Sequence, residues 1–133
     1  MMKNHETYCG YILCKALKKA GFNWPCRAYC FDCDFEYTFF GEEQTYDYIT
    51  NKSFILIPTL QMACQWLRET HNIHIEVLLA VNGTYFFNVY QLKPVELLNN
   101  SDRKDDDYYD TYERACELGL LYALQNYIKD YDV

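Results

Sequence analysis

Glycine is scarce in this 133-residue chain, at five residues, and the motifs that depend on it are missing. No glycine-rich phosphate loop and no dinucleotide fingerprint occurs, so the backbone cradles that hold phosphate groups are not expected. Neither a G-x-S-x-G elbow nor an H-E-x-x-H helix is present, which sets aside two common hydrolase arrangements. Histidine is rarer still, at three residues. His71 and His74 flank the end of an expected helix, where the dipole favours a charged ring, and neither has a cysteine neighbour suited to nucleophilic catalysis. Carboxylates are plentiful but sit in solvated runs, with no apolar pocket to shift a pKa. The expectation is a protein that is not an enzyme.

Long apolar runs are also lacking. The longest, Ile73 to Val81, is broken by His74 and Glu76, which is too short and too polar for a membrane span. The opening residues MMKNHETYCG have neither the apolar core nor the small-residue cleavage site of a secretion signal, so a cytoplasmic location is expected. Positive charge is in deficit, with 12 basic residues against 19 acidic and a net charge of −7. That disfavours direct nucleic-acid binding, whose affinity comes mainly from Lys and Arg on phosphates. It leaves room for a basic protein partner, such as one that itself binds nucleic acid.

What the chain does have is apolar bulk and rings. Half its residues are apolar, and a chain of this length buries enough surface to fold as one domain over 1–133. Tyrosine stands out at 14 residues, beside eight Phe and two Trp. Tyrosine suits both strands and protein interfaces.

Residues 8–20 put Leu13, Ala16, Leu17 and Ala20 at helical spacing, with Lys15, Lys18 and Lys19 outward and Gly21 as the C-terminal stop. From Cys26 to Phe40 aromatics recur in a β-like pattern, with Asp32-Cys33-Asp34 as the turn. Gly41 to Gln44 reads as a loop, and Tyr46 to Ile57 as a further extended piece. PTLQMACQWLRETHN is a helix capped by Thr59, with Leu60, Ala63, Cys64 and Leu67 as its stripe and Met62 and Trp66 beside it. IHIEVLLAV-NG-TYFFNVYQL is a hairpin. A three-residue loop aligns Ile75, Val77 and Leu79 with Tyr85, Phe87 and Val89, and separates apolar from polar better than a two-residue turn. Pro94 ends that strand, and ELLNNSDRKDDDYYD reads as a polar linker. The last helix starts at Asp110 or Thr111, with a possible Asp110–Glu113 capping box. Its stripe runs through Tyr112, Ala115, Cys116, Gly119 and Tyr122, widened by Leu120, Leu121, Leu124 and Ile128. The expected fold is α+β, an antiparallel sheet of about four strands with three helices packed on one face, in the order α-β-β-α-β-β-α.

Seven cysteines, at 9, 14, 26, 30, 33, 64 and 116, are too many to ignore and too odd in number for a disulfide framework. Cys64 and Cys116 fall on helix stripes and read as small hydrophobes. Cys30-x-x-Cys33 has the spacing of a zinc half-site. Cys26 shares a strand face with Cys30, and Cys9 opens the first helix. The quartet Cys9, Cys26, Cys30 and Cys33 is the candidate structural Zn²⁺ site, with Cys14 or His5 as substitutes for the fourth ligand. Ordinary packing and a redox pair remain open for the same residues.

The second constellation is acidic and aromatic. DDDYYDTYE (105–113) holds five carboxylates and three tyrosines in nine residues. It supplies Asp105, Asp106, Asp107, Tyr108, Tyr109 and Asp110. The stretch 31–48 adds Asp32, Asp34, Glu36, Glu42, Glu43 and Asp47. The plain reading is a solvated charge run before a helix N-terminus. The sharper one is that spaced carboxylates imitate a phosphate backbone in a basic groove, with rings as anchors.

The segment IPTLQMACQWLRETHNIHIEV (57–77) resembles small uncharacterised proteins of phages and integrated elements of gut bacteria. In these a Pro-Thr-x-x-Met-Ala helix with a Trp-Leu-Arg-Glu centre runs into His-Asn and a strand. The helices ETYCGYILCKALKKAGF (6–22) and YERACELGLLYALQN (112–126) are similar too. The resembling motif is a packing helix, so no catalytic residue follows from it. The cysteine-rich 26–33 stretch departs from the plain β-turn usual there, which favours a local addition such as a metal site. A mobile-element origin, with small size and acidity, is similar to anti-CRISPR proteins. It implies an inhibitor that binds a Cas9-type nuclease in the host cytosol and blocks DNA loading. The alternative is a zinc-stabilised structural or regulatory protein-binding module.

Overall fold

A computed structural model describes residues 7–32, 34–48, 53–100 and 108–128, the side chains of Asp34, Phe35, Tyr48 and Asn100 aside. The first helix, α1 (Tyr11–Lys19), buries Leu13, Cys14 and Leu17. Gly10 at its N-cap has no side chain to offer, and a carboxylate from the far end of the chain takes that role. The Gly10 N–H donates to Glu117 Oε2 at 2.6 Å. At the other end Gly21 adopts φ 96°, and its N–H and that of Phe22 donate to the carbonyls of Lys18 and Leu17. These two bonds are a Schellman stop, which a left-handed glycine permits. Lys18 does not turn outward as its spacing suggested: its ammonium donates to the Phe54 carbonyl at 2.7 Å and lies over the Tyr46 ring.

Three strands follow: β1 (Cys26–Phe31), β2 (Asp34–Gln44) and β3 (Phe54–Ile57). They form an antiparallel sheet in the order β2-β1-β3. The reversal expected at 32–34 closes with Phe31 opposite Asp34. The loop expected at 41–44 is instead strand, since Gln44 still pairs with Cys26 across two register shifts. An edge strand keeps polar residues in solvent and absorbs extra residues as bulges, so polarity alone did not mark its end. The extended piece expected from Tyr46 to Ile57 is a short 3-10 turn at Tyr46–Tyr48 and then β3, with 49–52 outside the described residues. Every residue of β3 is buried. Its Ile55 and Ile57 share the face of Cys26, Ala28 and Cys30. Phe54 turns to the opposite face, onto the rings of Tyr29, Phe40 and Tyr46.

Helix α2 (Leu60–His71) starts where Thr59 Oγ1 accepts the Met62 N–H at 3.1 Å and stops at Asn72 in the left-handed region. Trp66, expected beside its stripe, is buried within it, while Cys64 is only half-buried. A second antiparallel sheet follows: β4 (Ile73–Leu79), β5 (Tyr85–Gln91) and β6 (Glu96–Asn100), in the order β4-β5-β6. The hairpin has the three-residue-loop register, with Ile75 opposite Val89, Val77 opposite Phe87 and Leu79 opposite Tyr85. Gly83 supplies the positive φ its loop needs. Thus the single sheet of about four strands is corrected to six strands in two sheets among the described residues, within the same α+β class. β6 lies in the segment that reads as linker.

The last helix, α3 (Tyr112–Tyr127), is capped by Thr111, whose Oγ1 accepts the Arg114 N–H at 3.0 Å. Thr111 thereby takes the place proposed for an Asp110 capping box. Tyr112, expected on the inner stripe, is 51% exposed. Ala115, Cys116, Gly119, Leu120, Ala123 and Leu124 are the inner face. α3 packs on β4 and β5 and against α1 and α2, while α1 also covers β3. One continuous core joins these elements. Among the described residues no helix is long and apolar enough to cross a membrane.

Candidate functional site

β1 alternates inward and outward, so Cys26, Ala28 and Cys30 all enter the core. Cys9 is drawn in by its N–H bond to the Pro58 carbonyl at 2.9 Å. Cys9, Cys14, Cys26 and Cys30 are all buried, Cys26 and Cys30 on the inner face of β1, Cys14 on α1 and Cys9 just ahead of that helix. Sharing a face does not mean sharing a point. Four residues of extended strand span about 13 Å, while sulfurs on one zinc lie about 2.3 Å from it. Cys26 and Cys30 therefore do not fit one ion. Among the described residues no group of three or more His, Cys, Asp or Glu side chains is placed to hold a metal. Cys33 and His5 lie outside those residues.

The thiols also resist ionisation. Burial pushes the Cys26 thiol up to about 12, with the charges of Cys9 and Glu43 adding to it. Burial, with the neighbouring Cys14 thiol, holds Cys9 well above its ordinary range. Cys14 donates to the Cys9 carbonyl at 3.5 Å, and Cys26 contacts the Trp24 carbonyl and Met62 Sδ. A nucleophile must be a thiolate, so these contacts favour packing over nucleophilic chemistry. A recess of about 290 Å³ beside Cys26 has Arg27, Glu43 and Met62 in its wall. Its sulfur is held protonated.

The acidic residues lie on β2 and its flanks. Glu36, Glu42, Glu43 and Asp47 are exposed, as is Phe39 at 58%. β2 is the outer strand of its sheet, so these groups stand along an edge. Asp32 is already engaged by the Lys15 ammonium at 3.3 Å and by the Tyr11 hydroxyl. The backbone of Asp34 opens the strand.

The second acidic stretch lies elsewhere. Tyr109 forms a two-bond bridge with Tyr85 at the start of β5, and its ring stacks over Phe87. Tyr108 meets Phe86 edge to face. Both tyrosines are half-buried, so they anchor the chain ahead of α3 as well as offering surface. Asp110 is exposed beside them, and Asp105, Asp106 and Asp107 lie outside the described residues.

At His71 burial works against the charged form that a helix end favours: it lowers the pKa, the ring lying against Trp66 at 5.0 Å. Its Nε2 is buried with no hydrogen-bond partner among the described residues.

One pair escaped the sequence reading. Cys64 Sγ and Cys116 Sγ are 3.5 Å apart, one from each of two helices treated as independent stripes. The signal was present, because α2 and α3 both pack on β4, the first strand of the hairpin between them.

No protein-family model, curated protein or solved structure matches the chain. Function is therefore argued from these surfaces.

Proposed function

We propose that this chain is a protein-binding inhibitor, working in the bacterial cytosol, whose β2 edge occupies a basic nucleic-acid path on a partner enzyme. A Cas9-type nuclease is the partner to test first. One observation carries the reading: an eleven-residue outer strand presents exposed Glu36, Glu42 and Glu43 with Phe39 among them. An edge strand offers unpaired backbone groups to a second chain. Its carboxylates complement a surface built for phosphates, and the exposed ring supplies apolar area in their midst. The net charge of −7 adds long-range attraction toward such a groove. The action would be occlusion of DNA loading.

The test is direct binding of purified chain to the nuclease with rising salt, followed by competition with DNA. Association is expected at low salt, weakening as salt screens the contact, with DNA and inhibitor mutually exclusive. Reversing Glu42 and Glu43 to Lys should lower the affinity about tenfold or more, leaving the fold intact because both side chains are exposed. Absence of binding at low salt, or binding indifferent to the reversal, overturns the reading.

A further inference from the structure

Most of the described cysteines are sealed in the core, but one pair has a half-buried member. Cys64 leaves the inner stripe of α2 half-buried, and across the joint its sulfur lies 3.5 Å from that of Cys116 on α3. Contact between the sulfurs is the geometry from which a disulfide forms, with a small approach to about 2 Å. Cys64 and Cys116 are both thiols, not a disulfide, in this structure. We propose that Cys64 and Cys116 form a reversible disulfide joining α2 to α3, with Cys64 as the sulfur that meets the oxidant and a small-molecule disulfide as that oxidant.

Three features separate this pair from the other described thiols. Access is the first: Cys64 is reachable, whereas Cys9 and Cys14 are fully buried and Cys26 and Cys30 nearly so. Polarity is the second. Hydrogen bonding from Cys116 and the charge of Arg68, one helical turn on, outweigh burial and lower the Cys64 pKa. The same bond and burial raise that of Cys116. Of the two thiols Cys64, the more accessible one, is thus the easier to ionise, which is where an attacking sulfur is useful. Connectivity is the third. The pair closes a sequence separation of 52 residues and joins the helix that leaves the first sheet to the helix that lies on the second.

The chemistry balances with glutathione disulfide. The Cys64 thiolate attacks one of its sulfurs, the glutathione S–S bond breaks, and one glutathione thiolate leaves and takes up a proton. Cys116 then gives up its proton and attacks the Cys64 sulfur, forming the protein S–S bond and expelling the second glutathione. Two protein thiols lose two electrons and two protons, and one glutathione disulfide becomes two glutathiones.

The full chain is incubated across a series of glutathione disulfide to glutathione ratios, acid-quenched, alkylated under denaturant and mapped by mass spectrometry without reduction. A Cys64–Cys116 linked peptide is expected before Cys9, Cys14, Cys26 or Cys30 is consumed. The thermal midpoint should rise by roughly 5–15 °C, as closing a loop of this length predicts, and return on adding dithiothreitol. C64S should show neither linkage nor midpoint rise under the same oxidation. C116A should stop at a glutathione adduct on Cys64, and C64S still decides the matter if C116A does not fold. A wild-type chain that stays fully reduced, links other cysteines first, or retains a glutathione adduct at Cys64 without resolving it overturns the proposal.

Discussion

Two single atoms' worth of space govern how α3 meets its neighbours. A Cβ at Gly119 would lie 2.7 Å from Ile75 Cγ2 and 3.1 Å from Phe87 Cγ. Ile75 is β-branched on a strand, so its methyl has little freedom to move aside. Alanine gains helix propensity of up to about 1 kcal/mol, while overpacking costs about 1–3 kcal/mol. G119A should therefore be destabilised by about 1–2 kcal/mol in chemical denaturation, against the helix-propensity trend. Glu117 is the second case. Its carboxylate accepts the Gly10 N–H at the start of α1, a position where a helix favours negative charge. Glu117→Ala should cost about 1–2 kcal/mol, and Glu117→Gln, which keeps an acceptor, less than half of that. Equal losses for the two variants would mean that the charge, not the acceptor, carries the effect.

At the scale of elements, the helices and the β4–β5 hairpin were readable, and the edge strands were not. Local signals sufficed for α1 and α2: Gly21 and Thr59 are stop and cap as their chemistry dictates. The hairpin register followed from alternation alone, because a slip by one residue would have put Ile75 and Val77 on the polar face. The end of β2 and the existence of β6 were not legible, since edge strands carry polar residues that look like loop. The same limit bears on the candidate metal site. Spacing shows that Cys26 and Cys30 share a face of β1, but only a length in ångströms shows that they cannot share an ion. Chelation should accordingly leave the unfolding midpoint of the chain unchanged. A fall in midpoint on chelation, with stoichiometric zinc in the untreated protein, would restore a site that includes Cys33.

For the whole molecule, the sequence carried the class but not the partition into two sheets, because which strands pair is decided by packing at a distance. What joins the halves is α2, and at its end sits His71, with its ring on Trp66 and its Nε2 sealed. Burial lowers the pKa of His71 and, as the largest cause, of His74 at the start of β4. Arg68 lowers His74 further, and Glu76 opposes it. A histidine with a depressed folded-state pKa binds fewer protons than the unfolded chain, so stability rises with pH through the imidazole range and falls as pH drops below the unfolded value of about 6.5. The carboxylates titrate lower, around pH 4, so the interval from about pH 7.5 to 5.5 isolates the histidines. The unfolding midpoint should fall across that interval in wild type and fall less in His71→Phe, which keeps the ring on Trp66 and removes the proton site. An unchanged slope in His71→Phe would assign the pH dependence to His74 or to the charge of the whole chain instead.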